Sequence, residues 1–95
     1  MERAEPEGAV PTTMMRVKVR LFAAPREALG VSELELDLPQ GATVADLIAR
    51  LVEEHPVLGT YVRFMNVAVN RAYTGMQTRL RDGDEVACLP PVGGG

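Results

Sequence analysis

Polar and apolar residues alternate without a break through Arg16-Val17-Lys18-Val19-Arg20-Leu21-Phe22. A period of two marks a strand with one buried face, so Val17, Val19 and Leu21 are expected to point inward. Phe22 then shares the outer face with Arg16, Lys18 and Arg20, where a large aromatic either covers an edge or makes a contact. A second alternation, Glu33-Leu34-Glu35-Leu36-Asp37-Leu38, turns its leucines inward and stops at Pro39-Gln40-Gly41. Between the two, Ala23 to Val31 holds Pro25 and Gly30 and reads as a connection, with room for one helical turn at Arg26-Glu27-Ala28-Leu29. Two alternating runs joined this closely predict an antiparallel pair.

The period then changes. Thr43-Val44-Ala45-Asp46 sets a hydroxyl at a helix cap and a carboxylate three residues on, a capping box with Asp in place of Glu. That carboxylate also suits the positive end of the helix dipole. Val44, Leu47, Ile48, Leu51 and Val52 recur at the spacing of a single apolar stripe, and Arg50, Glu53 and Glu54 face out. His55-Pro56 closes the helix, because the residue before a proline avoids the α region, and His55 reads as a helix end without chemistry. Val57 to Phe64 has no clear period; Leu58, Tyr61 and Phe64 are placed to lie over the core. Val67-Ala68-Val69-Asn70 is a short strand, Asn70-Arg71 a turn or bulge, Tyr73 to Met76 irregular, and Thr78-Arg79-Leu80 a short extended piece. Asp82-Gly83-Asp84 is a turn. The last strand, Glu85-Val86-Ala87-Cys88-Leu89, has Val86 and Cys88 on one face and Ala87 and Leu89 on the other. The order β-β-α-β-β, with or without one more short strand, predicts an α+β fold in which one main helix covers one face of a mixed four- to five-stranded sheet. The opposite face, carrying Phe22 and Leu89, stays open as a docking surface.

The two ends break these patterns. Residues 1–14 carry two prolines, a glycine and three glutamates without a period and read as a disordered extension; Met14 or Met15 is an alternative start. The domain itself is expected over 15–90. Residues 91–95 form a flexible tail, and the chain closes on Pro90-Pro91-Val92-Gly93-Gly94-Gly95. Prolines stiffen the exit from the fold, and glycines without a Cβ pass through a channel too narrow for any side chain. Chain ends also fray for no reason, so the tail alone fits a presented terminus or an idle one.

Composition narrows the function more than the fold. Ninety-five residues make one small domain, and with two Tyr, two Phe and no Trp its core must be aliphatic. The single cysteine, Cys88, has no partner for an internal disulfide and points to a reducing, cytoplasmic setting. It reads as a small buried apolar residue. The single histidine excludes a His-cluster metal site, so no metal is expected. No stretch approaches the ~20 apolar residues of a membrane span, and the start lacks the regions of a secretory signal. Of the formal charge of -3, Glu2, Glu5 and Glu7 against Arg3 carry -2. The remainder is near neutral, which argues against a nucleic-acid partner. No catalytic constellation is visible: the carboxylates sit on solvated faces, and Asp82 and Asp84 read as turn formers.

Several segments together carry a family resemblance. They are Leu21-Phe22-Ala23 with Arg26-Glu27 and Gly30, Leu38-Pro39-Gln40-Gly41-Ala42-Thr43-Val44, Ala68-Val69-Asn70, and Asp82-Gly83-Asp84-Glu85-Val86-Ala87 running into Pro90-Pro91-Val92-x-Gly-Gly. Over about residues 16 to 95 the chain resembles MoaD, the small subunit of molybdopterin synthase, within the ubiquitin-like sulfur-carrier family that also contains ThiS. The resemblance implies a β-grasp fold and no permanently bound cofactor. It implies that a MoeB-like adenylyltransferase uses ATP to adenylate the Gly95 carboxylate, and that a sulfur donor converts it to a thiocarboxylate. It further implies that the tail enters a MoaE-like large subunit, where sulfur passes to cyclic pyranopterin monophosphate. Gly95 would carry the sulfur, Gly94 would give it reach, and Phe22, Leu89, Pro90, Pro91, Val92 and Gly93 would meet the partner. Alone, the chain would catalyse nothing; it would be the sulfur-donating subunit of a sulfurtransferase. The chain departs from the pattern in four places: Gly93 stands where Ser or Thr is common, Cys88 where a bulkier apolar residue is common, Thr74-Gly75-Met76-Gln77 differs from the usual loop, and the acidic N-terminal extension has no counterpart. Alternatives are a carrier serving thiamine, tRNA thiolation or cysteine synthesis, a protein modifier joined to lysines, and a binding module with an inert tail.

Overall fold

The first strand, β1 (Met14–Leu21), buries Met15, Val17, Val19 and Leu21 and exposes Arg16, Lys18 and Arg20, as its alternation requires. The computed structural model describes residues 14–62 and 64–90, so the expected N-terminal extension before Met14 and the tail from Pro91 onward lie outside the described residues. Met14, expected to close that extension, already belongs to β1, opposite Pro39. At the other end β1 stops one residue earlier than the alternation does. Phe22 keeps an extended backbone (φ -135°, ψ 154°) but caps a helix, α1 (Ala23–Leu29). The connection expected to hold one turn is therefore a seven-residue helix. Pro25 is accommodated in its first turn, where the missing N–H costs nothing. Gly30, at φ 85°, ends it by donating its N–H to the Arg26 carbonyl.

β2 (Glu33–Pro39) pairs antiparallel with β1, Val17 opposite Leu36. Two further strands, β3 (Asn66–Val69) and β4 (Ala72–Tyr73), form a hairpin, and β5 (Glu85–Leu89) lies between β3 and β1. The sheet order is β2-β1-β5-β3-β4. β5 is antiparallel to β3 and parallel to β1, which makes the sheet mixed. Parallel neighbours need a crossover, and the connection here contains the main helix, α2 (Val44–Glu54).

α2 begins where the sequence places it. The Asp46 amide donates to Thr43 Oγ1 (3.3 Å) and the Thr43 amide to Asp46 Oδ2 (2.9 Å), closing the capping box. The two first-turn amides that a capping box leaves over are satisfied from elsewhere: Val44 N–H donates to the Thr78 carbonyl (2.9 Å) and Ala45 N–H to the Met76 carbonyl (3.0 Å). The loop before the last turn is thereby explained, since its backbone finishes the helix cap. The expected extended piece Thr78–Leu80 is no strand; Arg79 makes a single bridge to Thr43, and the Leu80 amide donates to Ala42. Tyr73, expected to be irregular, pairs with Ala68 in β4.

After His55 the chain makes a 3-10 turn (Pro56–Leu58) and one turn of helix, α3 (Gly59–Val62). Helical spacing sends Leu58 and Val62 into the core and leaves Tyr61 half-buried. Phe64, expected over the core, is 73% exposed instead. The interior is aliphatic throughout: Val19, Val44, Leu47, Leu51, Leu58, Val62, Val86 and Cys88 are completely buried between α2, α3 and the sheet.

Replacing Thr43 by Ala removes one cap acceptor, a loss of about 1 kcal/mol. For a domain of this size that lowers Tm by roughly 4–8 °C. Thr43→Ser, which keeps the oxygen, should retain most of the stability in the same thermal melts.

Candidate docking site

With α2 on one side, the outward side chains of β1, β2, β3 and β5 form an open face on the other. Its two halves differ in chemistry. Over β2 and β1 lies a ladder of ion pairs: Arg16 Nε to Asp37 Oδ1 at 2.9 Å, Arg16 Nη1 to Glu35 at 3.5 Å, and Lys18 Nζ to Glu33 at 3.2 Å. The hydrogen bond from Arg16 holds the Asp37 carboxyl below the usual carboxylate range. These pairs are solvated, so each adds little stability; together they keep this half charged and wet.

The half over β5, β3 and β4 is a shallow apolar cleft of about 320 Å³. Phe22, Ala68, Tyr73, Ala87 and Leu89 supply its apolar wall. Arg20 stands at the border between the halves. It pairs with Glu85 (3.0 Å) and lies 5.9 Å from the centre of the Phe22 ring, close enough for a cation–π contact. Arg71, exposed in the turn between β3 and β4, completes the lining.

Local backbone geometry sets these side chains. Ala23, at φ 58°, turns the chain sharply after Phe22 and leaves that ring on the open face. Asn70 and Arg71, at φ 50° and 73°, make the two-residue mirror-type turn that suits a twisted hairpin, and so bring Tyr73 beside Ala68. The Asn70 side chain joins this hairpin to the Asp-Gly-Asp turn. Its Nδ2 donates to Asp84 Oδ1 (3.0 Å), and its Oδ1 accepts from the Glu85 amide (3.0 Å). Asp82 Oδ1 accepts from the Arg16 amide (2.8 Å) and Asp84 Oδ2 from the Arg81 amide (2.8 Å). The two aspartates are turn formers, as read from sequence, and they also tie the turn to β1 and β3.

Of the residues nominated from sequence, Phe22 and Leu89 line this one cleft and exposed Pro90 follows it directly. Pro91, Val92, Gly93, Gly94 and Gly95 lie outside the described residues. Sequence reasoning did not nominate Tyr73, Arg71, Ala68 or Arg20. The signal for Tyr73 was the pair Asn70-Arg71, which as a two-residue turn makes the next residues a strand. Cys88 points the opposite way, into the core, and burial pushes its thiol up to about 11. A larger groove of about 630 Å³ runs between Leu38–Ala42 and α2. Of its polar groups, Asp46 is committed to the helix cap, Gln40 to the Met14 carbonyl and Arg50 to Glu54 at 3.7 Å. Among the described residues no helix is long and apolar enough to cross a membrane.

A mixed five-stranded sheet crossed by one main helix, with the other sheet face left open, defines a β-grasp, ubiquitin-like protein. The ThiS family model matches residues 19–95, and the chain belongs to that family. It is 41% identical over 83 residues to a molybdopterin synthase sulfur carrier subunit of Chlamydomonas reinhardtii, a match covering 85% of this chain and 100% of that protein. Small archaeal modifier protein 1 of Haloferax volcanii has a similar structure, with a TM-score of 0.77 at 30% identity over 82% of this chain and 99% of that one. A chain in the protein–protein complex of subunits 1 and 2 of molybdopterin-converting factor from Helicobacter pylori matches with a TM-score of 0.62 at 28% identity, over 85% of this chain and 100% of that one.

The buried, protonated thiol gives a direct check on the core. Because the thiolate is the nucleophile, Cys88 should resist iodoacetamide in the native protein at mildly alkaline pH and react fully once the chain is unfolded in denaturant. Rapid native labelling would place Cys88 outside the core.

Proposed function

We propose that this chain is a sulfur carrier, the small subunit of a molybdopterin synthase. One observation carries the reading: β5 contributes Leu89 to the apolar half of the open face and releases the chain at Pro90 immediately beside it. A partner seated on the cleft therefore receives the tail without further search. The relatives named molybdopterin synthase sulfur carrier subunit support the same reading, as does the two-subunit complex among the similar structures.

The chemistry follows from the terminus. A carboxylate is a poor electrophile. ATP, used by a MoeB-like adenylyltransferase, turns the Gly95 carboxylate into an acyl-adenylate with AMP as leaving group. Sulfur from a donor replaces AMP, and the resulting thiocarboxylate holds its charge on a soft, nucleophilic atom. Docked on a MoaE-like large subunit through Phe22, Leu89 and Pro90, and with Pro91, Val92 and Gly93 leading in, the carrier presents that sulfur to cyclic pyranopterin monophosphate. Gly94 and Gly95 serve by being small. The chain needs no resident cofactor for this role, and a cytoplasmic setting suits a terminal sulfur that must stay reduced. The small archaeal modifier proteins, 34% and 33% identical, favour a second reading in which the same terminus is joined to lysines of other proteins.

Mass spectrometry of the protein from its own host should find one oxygen of Gly95 replaced by sulfur. Fragmentation must locate the change, because oxidation of any of the five methionines adds nearly the same mass. A carboxylate that persists with ATP, adenylyltransferase and sulfur donor supplied would remove the carrier reading; lysine conjugates would favour the modifier. Phe22→Asp should weaken binding to the large subunit by at least about 2 kcal/mol, as for a buried aromatic anchor, while the far-UV spectrum stays unchanged. An unaltered affinity would move the interface off this face.

A further inference from the structure

Arg71 occupies a position that costs the fold something, and among the described residues it forms no ion pair in return. Its φ of 73° lies in the left-handed region, which an L-residue with a Cβ enters at a penalty and glycine enters freely. In a two-residue hairpin turn of this type the second position favours glycine. The first turn residue, Asn70, is held there by its bonds to Asp84 and Glu85. Arg71 has no such return: among the described residues no carboxylate pairs with it. The contrast with its surroundings is sharp. Arg16, Lys18 and Arg20, the cations that β1 displays on the open face, each have an acid partner within 3.5 Å. Arg20 and Glu85 cancel one another within the cleft, so exposed Arg71 leaves its lining with a net positive charge.

Backbone strain kept at the edge of a binding surface is a pointer to a use for the side chain. We propose that Arg71 is a specificity-determining residue of the docking face, paired in the complex with a carboxylate that the large subunit carries at the rim of its own apolar surface. The inference rests on the sulfur-carrier reading, which supplies the partner. Phe22, Tyr73 and Leu89 provide the apolar centre; Arg71 sets orientation and draws the partner in. A charge at a rim acts chiefly on association rate and salt dependence, and the guanidinium fork suits a carboxylate better than a lysine does.

The test is stopped-flow or surface-plasmon measurement of the full chain binding to the large subunit from the same organism, at low and high salt. Arg71→Gly should keep Tm at or above that of the parent, because the turn is relieved, and should slow association about five- to tenfold at low salt. The deficit should close at about 1 M salt, where the Debye length falls to ~3 Å. Arg71→Glu should be slower still at low salt. Association of Arg71→Gly at the parent rate, or a deficit indifferent to salt, overturns the proposal. Phe22→Asp separates the two levels. If Phe22→Asp weakens binding while Arg71→Gly does not, only the role of Arg71 is lost. If neither variant matters, or the parent chain does not bind, the docking reading itself falls and takes the proposal with it.

Discussion

The structure depends on two strands from opposite ends of the fold lying side by side. β1 and β5 run parallel in the middle of the sheet, Val19 beside Val86 and Leu21 beside Cys88. The backbone of the Asp-Gly-Asp turn fastens the start of this pair: the Lys18 amide donates to the Asp84 carbonyl and the Gly83 amide to the Arg16 carbonyl. Closing so long a loop costs conformational entropy before any contact returns it. The completely buried Val19, Val86 and Cys88 supply the return by sealing against α2. Every other element is arranged by that pairing. β2 and β3 take the outer sides of the pair, α2 occupies the crossover, and β4 and the 74–80 loop fill the remaining edge and helix end.

The same arrangement divides the open face. Outward residues of β1 and β2 are alternating charges that satisfy one another across the strands, so water remains the better neighbour there. Beyond Glu85, which Arg20 neutralises, β5 and β3 present Ala87, Leu89 and Ala68, small or apolar, and Phe22 and Tyr73 extend them from the ends of β1 and β4. The boundary falls at Arg20, which serves both sides through Glu85 and the Phe22 ring. A partner that read only hydrophobicity would cover the half over β5, β3 and β4 and stop at the charged half over β1 and β2.

What could be read from the sequence followed from periodicity. The faces of β1, β2 and β5, the stripe of α2, the place of Phe22 and Leu89 on the open face and the burial of Cys88 rest on side-chain patterns long enough to repeat; the cap of α2 and the turn at Gly83 rest on local residue type. The misses have physical causes too. α1 was obscured because Pro25 and Gly30 look like chain breakers, although proline is tolerated in a first helical turn and Gly30 only ends the helix. β4 is two residues long, too short to show a period, so Tyr73 escaped notice as part of the site. Phe64 was placed inward on size alone, whereas the helical turn through Leu58 and Val62 had already chosen the buried side. The loop at Met76 and Thr78 works through main-chain carbonyls, which leave no trace in residue type.

The central position of β5 has a mechanical consequence. In the proposed complex, a pull on the chain beyond Pro90 would reach β5 first. An edge strand under such a load could peel away, breaking its hydrogen bonds one after another. β5 is bonded to β1 on one side and β3 on the other, so a lengthwise pull loads both ladders in shear and all their bonds share the force. β5, the strand that leads into Pro90, is thus held on both sides, as β1 and β3 are, rather than on one.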